Sequence, residues 1–137
     1  MTTIKATKGE FVNIINGLFS VQELKGKEFS LTVSKNIVIL QKSLKELEEA
    51  GKPSEEFMKL ASEVNQLANL NTEDSKEKIN KLEEENKELV EARRTQMDKV
   101  KEMMEEEIEV KLNILKEDIL PEEITAKQIN NLIKIIK

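Results

Sequence analysis

The chain has 137 residues, 38% hydrophobic and 36% charged, with a net charge of −5 and no Cys, His, Trp or Tyr. That size and apolar fraction suffice for one modest core, and the abundance of Glu, Lys and Leu favours helix. The missing residue types exclude disulfides, thiolate metal sites, the usual general base near neutral pH and the best base-stacking platforms.

At the start, Met1 to Lys8 carries no apolar leader region, and the longest apolar run, Ile37 to Leu40, is far short of the roughly 20 residues of a membrane helix. A cytoplasmic protein with no membrane partner is expected. Thr2 to Ala6 is rich in β-branched residues and forms a strand if a partner strand exists. Thr7 and Glu10 fit a capping box, with Ala6 and Phe11 placed as a hydrophobic staple, so a first helix starts there. Phe11, Ile14, Ile15, Leu18 and Val21 give it an apolar face.

The second helix is predicted over Lys27 to Ala50. Phe29, Val33, Ile37, Leu40, Leu44 and Leu47 form one stripe, and Leu31, Val38 and Ile39 widen it enough to predict contact on more than one side. Gly51 is placed for a left-handed helix end, and Pro53 keeps the helix from resuming before Ser54. A third helix from Ser54 to Leu70 carries Phe57, Leu60, Ala61, Val64, Leu67 and Ala68 on one face. The polar run Asn69 to Ser75 favours a break, because its side chains compete for backbone hydrogen bonds; continuity into the next helix is the alternative.

From Thr72 to Glu107 there is no Gly, Pro or aromatic residue, and 21 of the 36 residues are charged. This predicts one long charged helix of roughly 54 Å at about 1.5 Å per residue, the protruding, coiled-coil-like part of a single helical domain over residues 1–137. Ile79, Leu82, Leu89, Val100 and Met103 follow a heptad, with Asn86 and Arg93 at the intervening core-type positions. Those seven residues are the candidate interaction face. With Gln96 they make a seam polar enough to favour packing against the same chain over a homodimeric coiled coil, and both stay open.

Ile108 to Ile114 alternates apolar and polar, although Ile108, Leu112, Leu115 and Ile119 also satisfy a helix. A strand is favoured because it lets residues 2–6 and 108–115 join as a two-stranded ribbon. Pro121 then ends the segment, Thr125 and Gln128 form a second capping box, and Ile124 and Ile129 a staple. Ile129, Leu132, Ile133 and Ile136 are the apolar face that must dock. The expected fold is mainly α, a helical bundle with a short β ribbon.

Three segments, Gly9–Leu18, Glu28–Asn36 and Leu120–Leu132, resemble a group of small uncharacterised proteins of phages and prophages from low-GC Gram-positive bacteria. The likeness covers both ends, about half the chain, through packing and capping patterns. It implies a phage-encoded protein acting in the host bacterial cytoplasm, and it brings no activity or site residues.

No phosphate loop, nucleophile elbow or dinucleotide fingerprint is present, and without His or Cys no conventional triad can be assembled. The carboxylates Glu105, Glu106, Glu107, Glu109 and Asp118 point in different directions along a helix, which disfavours a metal site. Arg93, Arg94, Lys99 and Lys101 are interleaved with acids, and residues 73–123 hold eighteen acidic against ten basic side chains, which disfavours nucleic acid. What remains is a non-enzymatic protein with no cofactor. It binds a protein partner, either a host or defence factor or, as the alternative, itself in an oligomeric structural or assembly role.

Overall fold

A computed structural model describes residues 1–137, with seven α-helices and one antiparallel two-stranded ribbon. The fold is mainly α with a short β ribbon, as the sequence pattern predicts. Two compact units make up the chain, Met1–Glu48 with Glu102–Lys137, and Glu49–Lys101.

In the first unit, strand β1 (Thr2–Thr7) pairs antiparallel with β2 (Glu107–Leu112), with Ile4 opposite Val110 and Ala6 opposite Ile108. Alternation decides the faces. Thr2, Ile4 and Ala6 share one side with Ile108, Val110 and Leu112, while Thr3, Lys5, Thr7, Glu107, Glu109 and Lys111 share the other. The ribbon stops at Leu112, short of the predicted residue 115. There the buried Asn36 takes over as a surrogate strand, donating to the Asn113 carbonyl at 2.8 Å and accepting from the Asn113 N–H at 2.8 Å. Two residues on, Leu115 pairs instead with Ile136 in a parallel bridge.

Helix α1 (Lys8–Ser20) starts where predicted, with the Thr7 hydroxyl accepting from the Glu10 N–H at 3.1 Å. The reciprocal half of that box is not made, because the Glu10 carboxylate pairs with Lys134 instead. Gly26 precedes α2 (Lys27–Ser43) with φ +144°, a conformation an L side chain would strain. The predicted helix over Lys27 to Ala50 is thus two segments, since Leu44 departs from helical geometry before α3 (Lys45–Gly51) begins.

Helices α1 and α2 pack together, and β2 packs on α2. Phe11, Leu18, Phe29, Leu40, Leu112 and Leu115 are fully buried. At about 25 cal/mol per Å² of apolar surface, each such side chain stabilises the fold by about 1.5–3 kcal/mol before chain entropy is counted. Leu31 and Val38 stay exposed, contrary to the expected contact on several sides, since α1 and β2 take the other sides of α2.

The last helix, α7 (Ala126–Asn131), has the predicted capping box between Thr125 and Gln128. It tightens into a 3-10 turn over Ile133–Ile135, so the buried pair is Leu132 and Ile135 rather than the predicted face that included Ile133 and Ile136. Three residues per turn put Leu132 and Ile135 in line and turn Ile133 to solvent. Helix α7 lies so close to α1 that a Cβ on Gly17 would meet Asn131 Cβ and Leu132 Cδ2 at 3.1 Å.

The second unit is a helical hairpin. Helix α4 (Glu55–Leu70) is capped by the Ser54 hydroxyl and closed by Asn71, which takes left-handed geometry at φ 47°. Helix α5 (Glu73–Glu85) starts at once with a full reciprocal cap between Thr72 and Ser75, so the polar run breaks the helix as expected. The predicted single helix over 72–107 is instead α5 and α6 (Lys87–Met104), divided at Asn86 and ended before β2. At Asn86 the side-chain amide donates to the Leu82 carbonyl at 2.9 Å, and φ −114° leaves the helical region. At the far end, Glu105 and Glu106 close onto Glu102 and Met103 in short turns, because Glu107 is required opposite Thr7.

Candidate interaction surfaces

The heptad residues face inward. Ile79, Leu82, Asn86, Leu89 and Arg93 are half-buried and Val100 is buried, all in the Glu49–Lys101 hairpin; Met103 is half-buried in the other unit. Within the hairpin, α4 runs beside α5, and Leu67 and Leu70 border the groove that holds Leu82. The stripe predicted as an interaction face is therefore already a seam within one chain.

Its polar members have a structural task. A helix end leaves carbonyls without partners, and here α3 ends beside α6. Arg93 Nη1 donates to the Gly51 carbonyl at 2.9 Å and to Gln96 Oε1 at 2.9 Å. Gln96 Nε2 in turn donates to the carbonyls of Ala50 at 2.9 Å and Lys52 at 2.6 Å. The Arg93 guanidinium also stands 5.6 Å from the centroid of the Phe57 ring, a favourable cation–π distance. With these carbonyls satisfied by side chains, Gly51 does not adopt the predicted left-handed form; positive φ occurs at Gly26 and Asn71 instead.

The remaining charged candidates disperse. Arg93 turns into the seam while Arg94, Lys99 and Lys101 stay exposed, so the basic cluster read from the sequence is divided. Glu106 pairs with the buried Lys8 at 2.8 Å and Glu107 with Lys5 at 3.8 Å, while Glu109 lies on the outward side of the ribbon. No group of three or more acidic side chains converges closely enough to hold a metal ion. No helix is long and apolar enough to cross a membrane.

Two apolar surfaces stay open in the first unit. On α2, Leu31 and Val38 are 53% and 52% exposed and seven residues apart, two turns along one face. Val38 shares a shallow groove with Ser34, Lys35, Ile39, Asn113 and Met1, which is 74% exposed. The second surface is a cleft where Phe19 stands above Val12, Ile15, Leu44 and Leu47, with Asn16, Gln41 and Glu48 at its polar margin. Sequence reasoning assigned Leu31 and Val38 to the core, since an apolar residue beside a core stripe looks alike whether or not anything covers it. The signal that could have separated them is Ser34 and Lys35, which interrupt the stripe between Leu31 and Val38.

No family model, curated protein or solved structure matches this chain.

Proposed function

We propose that this protein acts by binding another protein and catalyses no reaction, and that the open face of α2 is the surface that binds. The observation that carries the reading is the pair Leu31 and Val38, large apolar side chains half-exposed on one helix face, with Val38 in a groove that it shares with Met1. Water released from such a row on contact favours association, and a groove between a helix and a ribbon end suits an apolar segment of a partner. Polar Ser34, Lys35 and Asn113 at its margin supply donors and acceptors that fix orientation.

The setting follows from the resemblance of the two ends of the chain to small phage proteins. In this reading a phage-encoded factor engages a host or defence protein in the bacterial cytoplasm. The test is to express the tagged chain in a bacterial host beside a Leu31→Glu/Val38→Glu variant of unchanged circular dichroism. A stoichiometric partner retained by the natural chain and lost by the variant supports the reading. Equal retention by both, or no stoichiometric partner for either, overturns it. A homo-oligomeric assembly role is the second reading, favoured by the exposed residues Lys87, Glu91, Arg94, Asp98 and Lys101, whose charges alternate in sign along α6.

A further inference from the structure

Lys87, Glu91, Arg94, Asp98 and Lys101 on α6, with Glu84 in the last turn of α5, recur at alternating spacings of three and four residues, the interval that keeps side chains on one helix face. Across Asn86 the ladder continues, its N–H donating to the Leu82 carbonyl and the Val90 N–H to the Asn86 carbonyl. Their charges alternate in sign along the entire row. All six are exposed. At about 100° per residue the row lies roughly 150° around the helix from the seam of Leu82, Leu89, Arg93 and Val100, on the outside of the hairpin. The ion pairs within the chain, Lys5 with Glu107, Lys8 with Glu106, Lys78 with Asp74 and Lys134 with Glu10, use none of these side chains.

Across a two-fold axis, a row of alternating charge complements itself in the antiparallel direction only. Laid antiparallel across a two-fold axis between Ala92 and Arg93, Glu84 meets Lys101, Lys87 meets Asp98 and Glu91 meets Arg94, and symmetry makes each pair twice. Parallel and in register, every charge would meet its own copy. Val90 and Met97 run along one margin of the row, and the antiparallel arrangement sets each beside the other residue of the second copy. Both retain exposed surface to contribute.

We propose that the outer face of α6, with the last turn of α5, is an interface with a second copy of this chain, paired antiparallel through this row. It uses the face opposite the predicted coiled-coil seam, where Leu82 already borders α4 and Arg93 stands over Phe57, and it does not rest on the α2 surface. Exposed ion pairs are individually weak and are screened by salt, so the dimer is transient and forms best at low ionic strength. The same row can also form i,i+3 and i,i+4 pairs inside one helix, which raise helix stability and leave mass unchanged.

Sedimentation velocity separates the two, with detection near 230 nm because Trp and Tyr are absent. The natural chain should show mass rising with concentration, and about 0.3 M salt should weaken association roughly tenfold relative to about 0.02 M. Two variants of the full chain follow, an acidic one (Lys87→Glu/Arg94→Glu/Lys101→Glu) and a basic one (Glu84→Lys/Glu91→Lys/Asp98→Lys). Each alone should be monomeric, and their equimolar mixture should dimerise at least as well as the natural chain. A natural chain that stays monomeric at about 0.5 mM and low salt, or a mixture that stays monomeric, overturns the proposal. If either triple variant loses helical signal, the single swap decides: Arg94→Glu should abolish pairing and Glu91→Arg/Arg94→Glu should restore it. Failure of the double swap to restore mass, with helix content intact, counts against the interface.

Discussion

In the unit built from Met1–Glu48 and Glu102–Lys137, residues as far apart in sequence as Phe11, Leu40, Leu115 and Ile135 are sealed from water, whereas in Glu49–Lys101 only Leu60, Ser75 and Val100 are buried, and none of them completely. The difference is one of layers. In the first unit, α1 and a ribbon pack on α2 and α7 packs on α1, so core side chains gain neighbours from several elements. Two helices alone cover each other on one side, and every seam residue keeps an edge in solvent. The hairpin compensates with backbone satisfaction: a left-handed turn at Asn71, a reciprocal cap at Thr72 and Ser75, and the Arg93 and Gln96 contacts to three carbonyls. Stability by burial and stability by capping respond differently to mutation.

The largest expected effect is removal of the C-terminal segment. A chain ending at Glu123 loses the buried Leu132 and Ile135 and the bridge from Ile136 to Leu115. It should be insoluble or molten, with far-ultraviolet helix signal and no cooperative melt. A soluble fragment that melts cooperatively would show that the first unit does not depend on this segment.

Next comes the direct contrast of one leucine in each unit. Leu18→Ala should cost about 2–5 kcal/mol in denaturant unfolding, because Leu18 is wholly enclosed. Leu89→Ala, at a half-buried seam position, should cost about 1 kcal/mol, since part of its surface is hydrated in the folded chain already. Equal costs would erase the distinction between the units.

The smallest effect sharpens the comparison most. Gln96→Ala removes the donor shared by the Ala50 and Lys52 carbonyls and should cost about 1 kcal/mol. Amide hydrogen exchange should speed up within Glu49–Lys101 while the first unit keeps its protection. Faster exchange throughout would mean that the two units unfold as one.

Local signals in the sequence were read well where the chemistry is local. Thr125 with Gln128, the restart of the helix at Ser54 after Pro53, the break between Asn69 and Ser75, and the alternation that makes β2 all concern groups within a few residues of each other. The candidate face was legible as a stripe, and its occupant was not. Leu82 and Leu89 carry the same heptad spacing whether they meet a second chain or the helix before them, and only the two-residue turn at Asn71 and Thr72 brings α4 alongside. Asn36 offered a signal, a polar residue inside the run of Val33, Ile37 and Leu40, but its partner Asn113 lies 77 positions away.

The sequence by itself determined where α1, α2, α4, α5, α7 and the ribbon begin, which faces are apolar and how charge alternates along α6, because these follow from spacing and from hydrogen bonds within one turn. Tertiary structure decided which apolar faces are covered, since coverage depends on elements distant in the chain. It folded the predicted interaction seam inward, gave Arg93 and Gln96 carbonyls to satisfy, and left Leu31, Val38 and the charged row of α6 facing water.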